Sequence, residues 1–520
     1  MSPTIALDLR SRRDDELNSH QFARNWLTAF VVAGLIWRLG RYALGFPLWG
    51  DEAFVACDVI DHNFSQLLSQ PPEYFQVVPL LYRWILRAAV VCLGPSEYAL
   101  RLPSLLAGCG ALLLFARVAW TTLPNTAAVL ATGVFAAGYP LIRHANEVKP
   151  YATDALVSVL LLWAALRWIK RPQDWTRPVL LTLLAATSVW LSFPAILIAS
   201  ALAIGLALCI PGRPGWWLVP YAAAVAGSFL LYLSGYAQAQ MARAAGSWLE
   251  NYWSAGFPSF NPPHAALVWL LKAHLSEMMA YPAGGMHYGS AANGLVFGVG
   301  ILALRRNRQG RLAILLLMPF VAGIAAAVVH RYPYGTAARL AQHLAPFICL
   351  FIGCGLAFIV ERIPVGQPQR VAARLARGAL MVVCALGLAR DILKPFKSQE
   401  DVDVRAFMRS VSSEIPTGRT VTIANPREAA DRPDAPPQFL ALARYYLVAA
   451  GHPLQWFIEA GLQPDTGWIL TCHGVAQPPM TEDVEQLANI AGLRLSRERS
   501  SNYLPIARKW LTLYSCKRAQ

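Results

Sequence analysis

Three short polar clusters in an otherwise apolar chain carry the side chains able to do chemistry. The first is Leu48-Trp49-Gly50-Asp51-Glu52-Ala53, two adjacent carboxylates directly after an apolar run. Charge beside hydrocarbon is costly and marks function, and a carboxylate there suits the removal of a proton from a hydroxyl. The alternative is local: Asp51 caps a helix beginning at Glu52, with both acids favoured by the helix dipole.

The second cluster is Arg143-His144-Ala145-Asn146-Glu147-Val148-Lys149-Pro150-Tyr151. It sets two cations, a carboxylate and a histidine between two apolar segments, with Pro150 where the next helix should start. Its plain reading is a solvated loop with a salt bridge. The third runs from His330-Arg331-Tyr332-Pro333-Tyr334-Gly335 to Arg339, which stands at the head of an apolar run. A guanidinium at a helix start favours an anion; the alternative is an arginine snorkelling to the interface.

The elements that must position these clusters follow from composition. Of 520 residues 56% are hydrophobic and only 14% charged, against about 45–50% and about 25% in soluble domains. Lipid is therefore the solvent for most of the chain. Apolar runs lie at roughly 26–46, 101–120, 124–142, 151–169, 178–191, 195–210, 216–236, 292–304, 312–330, 340–360 and 378–393. About eleven crossings are expected, several of them short of the ~20 residues a span requires.

The net charge of +15 is not a nucleic-acid stripe. It sits in short clusters between apolar runs: Arg10 to Arg13, Lys170 to Arg177, Arg305 to Arg311, and Arg370 to Arg377. Those are cytoplasmic loops by the positive-inside rule. With them inside, 47–100, 143–150, 238–291, 331–339 and the C-terminal tail fall outside, so all three polar clusters share one face. The stretch 79–94, with Arg83 and Arg87 four apart, reads as an amphipathic helix on the outer surface. The domains expected are a cytoplasmic tail (1–25), a membrane domain (26–394) and a soluble extracytoplasmic domain (395–520). In the last, TVTIAN and GWILTCH read as strands, and PPQFLALARYYLVAAG and MTEDVEQLANIAG as helices, giving a small α/β fold.

The nine cysteines show no metal-ligand spacing, and most lie in apolar runs. Cys472 and Cys516 share the polar tail and are the pair to test for a disulfide. The sequence contains no G-x-x-x-x-G-K, nucleophile elbow or H-E-x-x-H, so ATP hydrolysis, serine hydrolysis and zinc proteolysis have no support.

The ordered set resembles one group of membrane enzymes. An acidic pair after the first helix is followed by LGPSEYALRLPSLLAG, then NEVKPY before a helix, then RYPYGTAARLAQHLAPF. This order resembles the protein-mannosyltransferase-like branch of the GT-C glycosyltransferases, which includes the protein O-mannosyltransferases, the aminoarabinose transferases and the Rgt-type lipopolysaccharide glycosyltransferases. The similarity covers about residues 26–360. It implies an all-α polytopic membrane fold and inverting transfer of a sugar from a polyprenyl-phosphate donor to a glycan, lipid or protein acceptor. It places the chain in a bacterial inner membrane.

By the same resemblance Asp51 is the general base and Glu52 the second acid. Lys149 and Arg339 hold the donor phosphate, with Glu147 in the same motif as Lys149; the polar clusters themselves add Arg331 to the phosphate contacts and Tyr151 and His144 as support. The resemblance fixes no cofactor; a divalent metal stays open. One departure stands out: relatives carry His-Pro-Pro or Lys-Pro-Pro before a Leu-Tyr pair, where this chain has Gln76-Val77-Val78-Pro79-Leu80. Two other classes remain, a transporter of lipid-linked sugar and an inactive assembly subunit. The chain lacks the paired Gly/Pro-interrupted helices that a transporter with inverted repeats would show.

Overall fold

A computed structural model describes residues 3–72, 76–210, 212–244, 252–364, 366–424, 438–456, 467–474, 493–500 and 509–518. The helices over the first half are α1 (Pro3–Ala43), α2 (Gly50–Asp61), α3 (Phe64–Ser69), α4 (Leu80–Leu93), α5 (Glu97–Thr122), α6 (Asn125–Ala137), α7 (Tyr139–His144) and α8 (Tyr151–Lys170). Then come α9 (Thr176–Ser188), α10 (Ala195–Cys209), α11 (Leu218–Tyr232), α12 (Gln238–Ala244) and α13 (His264–Leu275). The series ends with α14 (Ala291–Arg306), α15 (Gly310–Val328), α16 (Ala345–Glu361), α17 (Gln367–Leu393), α18 (Gln399–Glu414) and α19 (Gln438–Ala449). Two compact units result: one holds residues 1–43, 79–82 and 101–393, the other 44–78, 83–100 and 394–520.

The first unit is a helical bundle that makes this an integral membrane protein. Among the described residues, Glu97–Thr122, Tyr151–Lys170, Gly215–Met241, Gly310–Val328 and Gln367–Leu393 are long and apolar enough to cross a membrane. Asn125–Ala137, Ala195–Cys209 and Ala345–Glu361 are apolar but shorter. At 1.5 Å per residue these last reach only about 20–25 Å, less than the ~30 Å of hydrocarbon, so the expected eleven crossings exceed the helices that qualify by length.

Small residues bring the bundle's backbones together, as lipid-immersed packing requires. Gly353 of α16 lies on the backbone of Ala131 in α6, and Gly300 of α14 lies under the Phe351 carbonyl. A Cβ at either glycine would clash with main chain, which does not yield. Phe115 of α5 stacks on Phe135 of α6 at 4.2 Å. One charged pair lies inside the bundle: Asp391 of α17 accepts from Trp37 Nε1 at 2.8 Å and forms an ion pair with Arg41, both on α1.

The second unit carries a five-stranded mixed sheet of β1 (Val421–Ala424), β2 (Leu454–Trp456), β3 (Trp468–Gly474), β4 (Leu493–Ser500) and β5 (Lys509–Arg518), in order β2-β1-β3-β5-β4. β1 runs parallel to β2 and β3, while β5 is antiparallel to β3 and β4. α19 connects the parallel pair β1 and β2, as parallel strands need a crossover. The strands read from TVTIAN and GWILTCH are β1 and β3, and the helix read from PPQFLALARYYLVAAG is α19. MTEDVEQLANIAG lies outside the described residues. Cys472 faces Leu511 in the β3–β5 register, whereas the Cys516 N–H bonds the Gly467 carbonyl. Five residues of strand separate the two, roughly 16 Å at 3.3 Å per residue, beyond the reach of a disulfide.

The stretch 79–94 is helical, as α4, with Ile85, Val91 and Leu93 exposed and its two arginines turned into the protein. Arg83 is wholly buried and forks onto Asp58, its Nε and Nη2 each 2.8 Å from a carboxylate oxygen. Arg87 Nη1 donates to the carbonyls of Val59 and Ile60 at 3.1 and 2.8 Å. The polar stripe is covered by α2 rather than by headgroups.

Candidate functional site

The candidate residues fall in both units. In the second, α2 begins at Gly50 with Trp49 at the N-cap. Glu52 turns back so that one carboxylate oxygen accepts the Trp49 N–H at 3.2 Å, satisfying a donor at the helix start. The cap is thus made by Glu52 and not, as the sequence suggested, by Asp51. Glu52 is buried and Asp51 half-buried.

Two groups that the sequence reading missed stand beside this pair. The Lys397 ammonium sits over the Trp49 ring, 2.8 Å from its centroid. Asp401, at the start of α18, hydrogen-bonds Ser398 Oγ at 2.8 Å. Burial pushes its carboxyl up to about 6, and the negative charge of Glu52 adds to the effect. Nothing near Trp49 in the sequence points to residues 350 positions away.

In the first unit α7 ends at His144, and the turn that follows leads to Pro150 at the N-cap of α8. Glu147 is the hub. One oxygen accepts Arg143 Nε at 2.9 Å and the other meets His144 Nδ1 at 2.7 Å. His144, Asn146, Glu147 and Lys149 are all buried, so the turn is a packed structure rather than a solvated loop. Its backbone is held from α5, where Ser104 Oγ donates to the Lys149 carbonyl at 3.2 Å and meets Tyr82 Oη at 2.9 Å. Tyr151 sets its ring edge-on to His144 at 5.0 Å. Burial pushes the His144 imidazole below its usual value, and the charges of Arg143 and Arg339 oppose protonation further, against the pull of Glu147.

That influence of Arg339 on His144 places the second and third clusters in one neighbourhood. Tyr332 joins them: burial pushes its phenol well above its usual value, and the nearby acidic groups of Asp154 and Tyr151 act in the same direction. Its hydroxyl donates to the Leu340 carbonyl at 2.9 Å, and Gln342 Nε2 bonds the Ala338 carbonyl at 2.9 Å. These bonds fix a turn over 338–344, so Arg339 does not open a helix; α16 starts only at Ala345. Instead of a helix dipole, Arg339 has aromatic rings. Its guanidinium lies 4.9 Å from the Trp253 centroid and donates to Tyr252 Oη at 3.0 Å. Arg331 is exposed, its N–H on the Ala326 carbonyl.

Among the described residues no group of three or more His, Cys, Asp or Glu is placed to hold a metal ion. The arrangement supplies a partly exposed carboxylate in one unit and, in the other, the cations Lys149 and Arg339 with Arg143 held by Glu147. The first suits proton removal and the second suits binding of an anion.

No family model matches the sequence, and no curated protein matches it. Solved structures do. ArnT from Cupriavidus metallidurans bound to undecaprenyl phosphate aligns with a TM-score of 0.54 at 11% identity, over 94% of this chain and 98% of that one. Its apo state aligns at 0.50 and 12% identity with the same coverage. The Archaeoglobus fulgidus oligosaccharyltransferase in complex with Zn and sulfate aligns at 0.50 and 14% identity, over 86% of this chain and 67% of that one. At such identities the likeness to these structures is one of fold alone.

Proposed function

We propose that this chain of GT-C fold is an inverting glycosyltransferase. It takes a sugar from a polyprenyl-phosphate donor at the outer face of a bacterial inner membrane and gives it to an envelope glycan, lipid or protein. The observation that carries the reading is the likeness over 94% of the chain to an ArnT crystallised with undecaprenyl phosphate, in a protein that keeps a carboxylate at the start of α2 and buried cations around α7 and α8.

In this mechanism Asp51 takes the proton of the acceptor hydroxyl as that oxygen attacks the anomeric carbon. The bond from that carbon to the phosphate oxygen breaks, its electron pair leaving with polyprenyl phosphate, so configuration inverts in one step. The leaving phosphate gains negative charge as the bond breaks. Lys149, Arg339 and Arg331 therefore stabilise the transition state more than the ground state. Glu147 acts through others: it holds Arg143 and His144 and so fixes the turn that presents Lys149. Tyr151 packs on His144 and limits its rotation.

Transfer of radiolabel from a polyprenyl-phosphate sugar, measured in membranes with and without this protein, tests the reading. Labelled acceptor is expected only with the wild-type chain. Donor binding without transfer to any envelope fraction would overturn it in favour of an assembly subunit, and donor translocation without transfer in favour of a transporter.

A further inference from the structure

Glu97, at the first turn of α5, accepts bonds from three different stretches of the second unit. One oxygen accepts the Tyr446 hydroxyl at 2.7 Å and, at 3.4 Å, the backbone N–H of Leu48. The other accepts Arg405 Nη1 at 3.2 Å. The same Arg405 nitrogen donates to the Gly45 carbonyl at 2.6 Å. Glu97 is buried and the Arg405 side chain only 19% exposed, so these bonds are shielded from water and the pair is screened little.

The bonds join two distant stretches of sequence. Leu48 and Gly45 belong to the segment that leads into α2, immediately before Asp51. Arg405 lies on α18 and Tyr446 on α19. Two further links run along α2 itself: Arg444 pairs with Asp61 at 2.7 Å, and Cys57 Sγ lies 3.3 Å from the Ala441 carbonyl. Gly45 is fitted to this arrangement. Its φ of +57° suits glycine, and a Cβ there would meet the Tyr98 hydroxyl at 2.6 Å. A loop whose backbone is bonded at both Gly45 and Leu48 has little freedom left at residue 51.

We propose that α18 and α19 of the C-terminal region form a positioning clamp on the segment that carries Asp51, with Arg405 as the positioning residue and Glu97 as its anchor. The inference rests on the assignment of Asp51 as base and gives the C-terminal region a task in that reaction. Arg405 touches neither donor nor acceptor. It fixes where the base stands, and misplacement of a reacting group by about 1 Å costs on the order of 10²-fold in rate.

The test uses the full-length protein in nanodiscs with Arg405→Ala, Arg405→Lys and Glu97→Gln. Hydrogen exchange of the 44–52 amides is read beside kcat and donor KM. Arg405→Ala is expected to speed exchange of that segment by ~10-fold or more while the spanning helices keep their protection. It is also expected to lower kcat by ~10²-fold and leave donor KM within ~2-fold. Arg405→Lys, which keeps the positive charge beside Glu97, should recover part of both losses, and Glu97→Gln should fall between wild type and Arg405→Ala. If Ala at 405 prevents folding, the Lys and Gln variants carry the same comparison. Unchanged exchange at 44–52 in folded variants overturns the clamp; faster exchange with wild-type kcat overturns its catalytic task. A wild-type protein that transfers no sugar refutes the proposed function instead, and the exchange data then decide the clamp alone.

Discussion

The Glu52 carboxylate accepts the Trp49 N–H at 3.2 Å, and this one bond separates the roles of two adjacent acids. Glu52 closes its own helix start, while half-buried Asp51 is the residue proposed above as the base. Asp51→Asn should therefore insert and fold as wild type, and transfer should fall by roughly 10²–10⁴, the contribution of a positioned base. Glu52→Ala should instead cost about 1 kcal/mol or more of local stability through the lost cap. Turnover and thermal melting of the two variants, at matched expression, check the division. Near-normal turnover in Asp51→Asn would remove it from the mechanism.

Donor affinity should depend on Arg339 and Lys149. Arg339 is held by the Trp253 ring and the Tyr252 hydroxyl, so Arg339→Lys loses both the planar stacking and the bidentate fork. Donor dissociation constants for Arg339→Lys, Arg339→Ala and Lys149→Ala should all rise, by roughly tenfold for a lost charge-assisted bond. Unchanged constants in both alanine variants would leave the phosphate to other residues.

The structure and the sequence part company where a partner is remote in the chain. Strands β1 and β3 and helix α19 were legible because they are local patterns. The apolar runs were legible for the same reason, though the shorter ones show that apolarity does not fix span length. Arg339 was read as a helix start because it stands at the head of the apolar run 340–360. Composition does not reveal that Tyr332 and Gln342 take the carbonyls of Leu340 and Ala338. The burial of the 143–151 turn was likewise invisible, since its cover comes from Ser104 and Tyr82.

Acidification should weaken the fold through His144. Burial holds its imidazole below the ordinary value of 6.5, so the unfolded chain binds the proton more readily. The stabilising contribution is thus fully present above pH 6.5 and declines as pH falls through that value toward the lowered one. Melting curves between pH 7.5 and about 5 should show a drop that is smaller in His144→Gln. Equal slopes in the two proteins would assign the acid sensitivity elsewhere.

Orientation is open to chemical labelling. In a cysteine-free background Ser259→Cys, exposed in the segment between α12 and α13, should react with an impermeant thiol reagent in intact cells. Asn307→Cys, exposed beside Arg305 to Arg308, should react only after permeabilisation. The reverse pattern would invert the topology and put the proposed chemistry on the wrong face.

Arg83 and Asp58 offer the sharpest energetic test of the second unit. The two side chains are almost wholly buried and share a bidentate fork, and Arg83 also donates to the Leu67 carbonyl at 2.7 Å. Removing one partner strands a buried charge, so Asp58→Ala should cost about 3–5 kcal/mol. Removing both charges together should cost less, because a buried pair gains little over apolar groups of similar size. Asp58→Leu with Arg83→Met is then expected to be more stable than Asp58→Ala alone, though below wild type, since the Leu67 carbonyl loses its donor. A double-mutant cycle on thermal stability isolates the coupling. A coupling near zero would mean that the two charges are solvated after all, against their burial in the structure.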